Sequence, residues 1–313
     1  MDVTDLIRGV LAGERRSVAR AISLVEDGAP ELAALSGGIY AQTGTAATIG
    51  LTGAPGVGKS TLAGELVRTA RAAGGSVAVL AVDPTSPFTG GALLGDRVRM
   101  QEHATDPGVF IRSMATRGHL GGMALAAPEA VRILEAAGYG HVIVETVGVG
   151  QAEVDVAAAT DTTVVVLAPG AGDAVQMAKA GILEVADVFV VNKWDRDGAA
   201  QTARDLRQML GMGAHRDWSP PVLTTTAPSK EGVAELWAAI ESHRAHMVAT
   251  GGVELRRRAR LRSEVESLAA ATFRTRVAAA FDATPTIADD LAARRVDPYR
   301  TAAILEATAA SAD

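Results

Sequence analysis

The sequence predicts an α/β fold, a doubly wound and mostly parallel sheet, and three observations support this prediction. Continuous apolar runs, typical of buried parallel strands, alternate with segments of helical periodicity. The first run leads into a glycine-rich loop and then a helix, the order in which a phosphate-binding loop occurs. Polar residues follow several runs, and ligands of such sheets bind at the carboxyl ends of the strands. The predicted strands cover residues 47–51, 77–82, 141–144, 162–167, 188–191 and 222–223.

Composition limits the classes of protein to consider. The chain has 313 residues, with 30 lysines and arginines against 36 aspartates and glutamates, so nothing global indicates a nucleic-acid or membrane partner. It has no cysteine, which excludes disulfides and thiolate metal sites. The start lacks a signal-peptide pattern, and no apolar run approaches the roughly 20 residues that span a bilayer. We expect a cytoplasmic protein.

Residues 1–44 are predicted to form an N-terminal helical extension. Val18, Ile22 and Val25 recur at helical spacing, and Gly28 then interrupts the pattern. We expect two or three short amphipathic helices, packed on a nucleotide-binding domain that covers residues 45–250.

Residues 251–313 are predicted to form a C-terminal helical extension. A long helix is expected from Glu254 to about Phe281, ending before Pro285. Acidic residues lie on both sides of the arginine run at 256–262 (Glu254, Glu264 and Glu266), which favours a solvated or interface helix over a nucleic-acid site. The helix also carries an apolar stripe that needs a partner: Leu255, Leu261, Val265, Leu268 and Phe273.

A phosphate-binding loop is the most specific motif in the chain. Residues 53–60 have the form G-x-x-x-x-G-K-[ST], between a predicted strand and a predicted helix. Its glycines allow backbone N–H groups to surround an anion, and the helix N-terminus adds partial positive charge. Lys59 would reach the β- and γ-phosphates, and the Ser60 hydroxyl would bind Mg²⁺. The predicted nucleotide contacts are Gly53, Ala54, Pro55, Gly56, Val57, Gly58, Lys59, Ser60 and Thr61.

A second motif predicts guanine as the base. Asn192-Lys193-Trp194-Asp195 has the form N-K-x-D and follows a predicted strand. The Asp195 carboxylate would accept hydrogen bonds from N1–H and N2–H₂ of guanine, a donor pair that adenine lacks. Asn192 would tie this loop to the phosphate-binding loop, and the stem of Lys193 would cover the base. The stretch Thr224-Thr225-Thr226-Ala227 is predicted to be a loop whose backbone meets guanine O6, with Thr226 and Ala227 as nucleotide contacts, although Pro228 replaces the usual lysine of this loop.

Three acidic residues, Asp83, Asp96 and Glu145, predict a magnesium site. Glu145 begins an element of the form D-x-x-G, with glutamate in place of aspartate, and the N–H of Gly148 would meet the γ-phosphate. Asp83 and Asp96 would bind the ion through water. The predicted metal ligands are Ser60, Asp83, Asp96 and Glu145.

Residues that could act in hydrolysis follow these elements. Gln151 would orient the attacking water, but it is equally consistent with a polar residue that opens a helix. Glycine-rich segments at 117–122 and 169–173 are expected to be loops that order around the γ-phosphate. Lys179 and Gln176 have the spacing of one helix face, and Lys179 is equally consistent with a surface lysine.

Together these motifs resemble those of the MeaB/ArgK-type GTPases, which include the human protein defective in the cblA form of methylmalonic aciduria. The resemblance covers nearly the whole chain. It implies a homodimeric chaperone that binds GTP or GDP with Mg²⁺ and assists cofactor loading and protection of an adenosylcobalamin-dependent acyl-CoA mutase, usually methylmalonyl-CoA mutase. Lys59, Asp83, Asp96 and Glu145 match the family's phosphate and metal positions. Residues 169–179 match an additional switch loop, with Gln176 and Lys179 as signalling or hydrolysis residues, and the C-terminal helices match a dimerisation arm.

Two alternative functions stay open at this stage. A metallochaperone GTPase is disfavoured by the lack of cysteine and of clustered histidines. A P-loop kinase, the arginine/ornithine transport type, is disfavoured by the N-K-x-D element and by the lack of an identifiable acceptor site.

Overall fold

The computed structural model describes residues 2–84, 103, 105–116, 122–146, 152–170, 182–212 and 217–310. The chain forms two units, residues 1–260 and residues 261–313. The first contains the sheet and the second is helical. The domain boundary predicted at residue 250 stays a prediction.

A seven-stranded sheet organises the first unit, and every pair of neighbouring strands in it is parallel. The strand order is β3-β2-β4-β1-β5-β6-β7. The predicted doubly wound fold is therefore confirmed: β1 lies between β4 and β5, and the chain extends from it in both directions. The strands are β1 (Ala47–Thr52), β2 (Val77–Pro84), β3 (Val109–Thr116), β4 (His141–Thr146), β5 (Thr162–Leu167), β6 (Val188–Asn192) and β7 (Val222–Thr225).

Strand β3 is not among the strands predicted from the sequence. Its apolar run is interrupted by Arg112 and Ser113, so it lacks the continuous pattern of the central strands. It lies at the edge of the sheet, where a polar side chain finds partners on a neighbouring helix. Arg112 donates to Ser23 Oγ at 2.9 Å and to Glu26 Oε2 at 2.5 Å.

Helices cover both faces of the sheet. On one face, α1 to α3 share an apolar core with α5, which confirms the predicted N-terminal helices; on the other face, α4 and α9 pack against β1, β5 and β6. The first unit contains α1 (Val3–Leu11), α2 (Arg15–Asp27), α3 (Leu32–Ile39), α4 (Lys59–Ala72), α5 (Gly122–Ala136), α6 (Ala152–Ala159), α7 (Ile182–Val185), α8 (Ala199–Gly211) and α9 (Val233–Ala249).

The C-terminal helices begin with α10 (Gly252–Asp282), which confirms the predicted long helix. It is followed by α11 (Pro285–Ala292) and α12 (Pro298–Ala310). The five residues of the predicted apolar stripe are between 38% and 72% exposed in the single chain. Within the described residues, none of the helices is long and apolar enough to cross a membrane.

The arginine run at the start of α10 differs from the prediction. Arg256, Arg257 and Arg260 do not form a solvated face, because they bind two buried aspartates at the start of β5 and β6. Arg258 and Arg262, between and after them, are exposed as predicted.

Candidate functional site

The phosphate-binding loop joins the end of β1 to the start of α4. Close packing explains why glycine occupies two of its positions. Gly53 and Gly58 have φ angles of 140° and 99°, which residues with a Cβ rarely adopt. A Cβ on Gly53 would lie 2.1 Å from the carbonyl oxygen of Val166, and a Cβ on Gly58 would lie 2.4 Å from Asn192 Nδ2. The loop therefore packs directly on β5 and on the N-K-x-D segment.

Lys59 is held over the loop that precedes it. Its side chain is buried, and Nζ donates to the carbonyl oxygens of Gly53 at 2.6 Å and Ala54 at 3.0 Å. Those two bonds fix the ammonium at the mouth of a helix N-terminus, where positive charge is already concentrated. The arrangement suits the binding of a phosphate group.

Ser60 and Glu145 meet at the same edge of the sheet. Leu51 of β1 is in register with Glu145 of β4, so the loop after β1 lies beside the end of β4. The Ser60 hydroxyl donates to Glu145 Oε1 at 2.6 Å, and both side chains are buried. A hydroxyl and a carboxylate are the hard oxygen ligands that Mg²⁺ prefers, so this pair fits the predicted metal site.

Asp83 lies at the end of β2, at the same edge. Val82, the residue before it, is in register with Thr146, the residue after Glu145. The backbone of Asp83, the second-to-last residue of β2, therefore lies nearly level with the ends of β1 and β4, and its role as a metal ligand stays a prediction. Asp96 lies outside the described residues.

Asn192 connects three loops at the base-binding end of the site. It is buried, and its Nδ2 donates to the Val57 carbonyl at 2.8 Å, which is the link to the phosphate-binding loop expected from the sequence. Its Oδ1 accepts hydrogen bonds from Thr225 Oγ1 at 3.0 Å and from the Ala227 backbone N–H at 3.2 Å. One amide therefore sets the distance between the N-K-x-D, phosphate-binding and Thr226–Ala227 loops.

Thr225 belongs to the stretch predicted to meet guanine O6, but its side-chain contact with Asn192 was not predicted. It is fully buried at the end of β7, and its backbone carbonyl also accepts from the Trp194 N–H at 3.1 Å. The available signal was a threonine at the carboxyl end of a strand beside the base loop. That signal is weak, because threonine is common in strands for packing reasons alone.

The rest of the base loop is shaped by backbone geometry. Lys193 has a φ of 57°, and its Nζ donates to the Gly56 carbonyl, so its stem lies along the phosphate-binding loop. Asp195 follows in the same turn and is exposed. Its carboxylate is therefore accessible to a ligand.

The structure thus brings together most of the predicted site at the carboxyl edge of β1, β4, β6 and β7. The remaining predicted residues, Asp96, Gly148, Gln151, Lys179 and Gln176, lie outside the described part of the chain, as do 117–121 and 171–179 of the predicted loops.

The fold and the site define a P-loop protein with a base-recognition loop of the GTPase type. Residues 18–282 match the family model described as methylmalonyl-CoA mutase-associated GTPase MeaB. The chain belongs to this family.

Named relatives agree with this assignment. A protein of Pyrococcus horikoshii that is named only as a GTPase is 46% identical to this chain, and the alignment covers 96% of each sequence. GTPase ArgK of Escherichia coli is 40% identical over 80% of this chain and 79% of its own. The methylmalonic aciduria type A homolog of Caenorhabditis briggsae is 36% identical over 82% of this chain and 67% of its own.

A solved structure confirms the fold. The crystal structure of an LAO/AO transport system kinase is 29% identical to this chain and superposes with a TM-score of 0.70, covering 98% of this chain and 97% of the other.

Proposed function

We propose that the protein binds GTP and hydrolyses it to GDP and phosphate. The observation that carries this proposal is the position of Asn192, which joins the N-K-x-D loop to the phosphate-binding loop at 2.8 Å. A nucleotide whose phosphates lie on residues 53–60 would then have its base beside Asp195. That carboxylate pairs with the two N–H donors of guanine, and adenine would leave it without them.

The chain's own residues supply charge stabilisation and orientation. Lys59 is fixed by two carbonyls, so its ammonium would neutralise charge that develops on the β- and γ-phosphates. Ser60 and Glu145 would hold Mg²⁺, which would offset the negative charge of the phosphates when bound. Asp83 and Asp96 are proposed as ligands through water, and Gln151 or Lys179 as the residue that acts on the attacking water.

We further propose that the output of this site is assistance to an adenosylcobalamin-dependent acyl-CoA mutase. The family's own description and the name of the C. briggsae relative support a role around methylmalonyl-CoA mutase. In this role, GTP binding and hydrolysis accompany the loading of intact cofactor and the protection of the mutase. We propose a homodimer that forms through the exposed apolar stripe of α10.

Reconstitution with the mutase encoded in the same genome tests this role. Adenosylcobalamin loading and the rate of mutase inactivation would be measured with the full chain, with and without GTP. We expect GTP-dependent loading and slower inactivation, and neither effect with the Lys59→Ala variant. A mutase that behaves identically with and without the protein would refute the chaperone role. Tighter binding of ATP than of GTP would instead favour the kinase alternative.

A further inference from the structure

Three arginines at the start of α10 bind the edge of the sheet opposite the nucleotide site. Arg256, Arg257 and Arg260 all belong to the first unit. Their partners are Asp161 and Asp187, which directly precede β5 and β6 and are only 6% and 4% exposed. Buried carboxylates are tolerated when they are paired, and here one helix supplies the pairing cations.

Asp161 receives most of these contacts. Arg257 donates to its Oδ2 at 2.8 Å, and Arg260 donates to its Oδ1 at 2.6 Å. Arg256 donates to its backbone carbonyl at 2.8 Å. Burial acts to raise the pKa of the Asp161 carboxyl, but the two arginines outweigh burial and lower that pKa. The ion pairs are therefore maintained at neutral pH.

Arg260 also holds the end of α6. Its second guanidinium nitrogen donates to the carbonyl oxygen of Ala159, the last residue of that helix, at 2.7 Å. The last carbonyls of a helix lack partners within the helix and carry partial negative charge, so a guanidinium stabilises them. Arg260 thus ties the end of α6 and Asp161 to the same point of α10.

Helix α6 connects this point to the candidate hydrolysis site. It starts at Ala152, after β4 has ended at Thr146, and it packs against β1 and β4. Val156 of α6 shares an apolar core with Val144, the residue before Glu145. On the β1 side, a Cβ added to Gly50 would lie 3.3 Å from Val156 Cγ2 of α6 and 2.6 Å from Thr160 Oγ1, just after the helix, so β1 and α6 are closely packed.

We propose that Arg260 is a positioning residue for GTP hydrolysis, acting through α6 on the placement of Glu145. The inference rests on the proposed GTPase function and adds a residue outside the nucleotide site that affects the rate of hydrolysis. The helix has eight residues and is about 12 Å long, so a shift of its C-terminal end would also move Val156, which shares an apolar core with Val144 beside Glu145. We expect hydrolysis to depend on that placement more than nucleotide binding does, because Asn192 links the phosphate and base loops through contacts in which α6 takes no part.

The test compares Arg260→Gln with Arg258→Gln in the full chain. Arg258 lies in the same turn of α10 and is exposed, so its loss removes the same charge without this contact. For Arg260→Gln we expect kcat for GTP to fall roughly 10- to 100-fold, as for a small misplacement of reacting groups, with KM within about threefold. Arg260→Lys keeps the charge and one contact, so it should recover part of kcat. Arg258→Gln should match the wild type.

The outcomes separate this inference from the proposed function. If the wild type does not hydrolyse GTP, the proposed function fails. If the wild type is active and folded Arg260→Gln keeps its kcat, the positioning role is refuted. Equal losses in Arg260→Gln and Arg258→Gln, or a rise in KM that accounts for the whole effect, would also refute it. If circular dichroism shows that Arg260→Gln does not fold, Arg260→Lys is measured in its place. We then expect Arg260→Lys to lose kcat at unchanged KM, and a kcat equal to that of the wild type would refute the positioning role.

Discussion

At the scale of single residues, Lys59 is positioned by the loop in which it lies. Two backbone carbonyls of this loop accept hydrogen bonds from its ammonium. Replacing it by alanine should leave the loop intact while removing the charge that faces the phosphates. A residue can therefore be decisive for the site and of little importance for the fold.

We expect Lys59→Ala to lower the rate of GTP hydrolysis by about 10²–10³-fold, comparable with the loss of one preorganised donor in other enzymes. GTP affinity should fall as well, because the same charge binds the β- and γ-phosphates in the ground state. Phosphate release under single-turnover conditions and fluorescent-nucleotide titration measure the two effects. Arg8→Ala, which removes a cation from an exposed pair with Asp5, is the control. Near-normal turnover by Lys59→Ala would contradict the placement of this residue.

Asp195 determines the choice of base at the same scale. Asparagine in its place offers an N–H donor where guanine also presents donors, and it matches the carbonyl of xanthine instead. Each lost bond to a charged group is worth about 1.5–3 kcal/mol, so the ratio of GTP to xanthosine triphosphate affinity should fall about 10- to 100-fold or more.

Competition titration of the two nucleotides checks the Asp195→Asn prediction. Asp197→Asn, an exposed change two residues along the same loop, should leave the ratio unchanged. An unaltered ratio in Asp195→Asn would show that guanine is recognised elsewhere.

At the scale of elements, the start of α10 is attached to the sheet through buried charge. Asp187 accepts two bonds from Arg256 at 2.7 and 2.8 Å, and it lies 3.2 Å from Nε2 of the buried His243. Burial acts to raise the pKa of the Asp187 carboxyl, but these partners lower it to about 2. The contribution of this attachment to the stability of the fold therefore depends on pH.

A lowered pKa in the folded state stabilises the protein above the pKa of the unfolded chain. For Asp187 this contribution is fully present above about pH 4 and is lost as the pH falls from 4 towards 2. The pKa of Asp187 in the folded protein is nearly two units below its ordinary value, which corresponds to roughly 2 kcal/mol of stability.

Urea unfolding of the wild type and Asp187→Asn between pH 7 and pH 2.5 tests this dependence. The difference in free energy of unfolding between them should be constant from pH 7 to about pH 5 and then shrink. The same experiment with Asp5→Asn, whose carboxylate is exposed, should show little change. A difference for Asp187→Asn that does not vary with pH would refute the assignment.

At the scale of the whole molecule, the exposed apolar residues of α10 require an explanation. Leu261, Val265 and Leu268 share one face of the helix and are 38%, 64% and 49% exposed. Apolar residues concentrated on one exposed face mark an interaction surface more often than scattered ones do. We propose that a second copy of the chain covers them.

We expect the double substitution Val265→Arg and Leu268→Arg to convert a dimer into a monomer, because buried like charges would face each other across a symmetric interface. Sedimentation equilibrium measures the change. Ser263→Arg, on the opposite face of the same helix, should leave the dimer intact. A wild-type chain that is monomeric at tens of micromolar would contradict the proposed homodimer.

The sequence predicted those parts of the protein that are defined by residues close together in the chain. The central strands depend on continuous apolar runs and were predicted correctly, and the phosphate-binding and N-K-x-D motifs depend on local spacing, so they could be recognised without the fold. Strand β3 was missed because an edge strand needs no continuous apolar run. The contact between Thr225 and Asn192 was missed because the two residues are 33 positions apart.

By itself, then, the sequence determined that this chain is a doubly wound P-loop protein with a guanine-type recognition motif. Only the tertiary structure decided that β1 lies between β4 and β5, which places Ser60 beside Glu145. It also decided that three arginines of α10 bind Asp161 and Asp187 instead of facing solvent. The physical reason is sequence separation. An isolated arginine run is most stable in water, and only a folded sheet that brings together residues 69 to 99 positions apart offers it buried carboxylates.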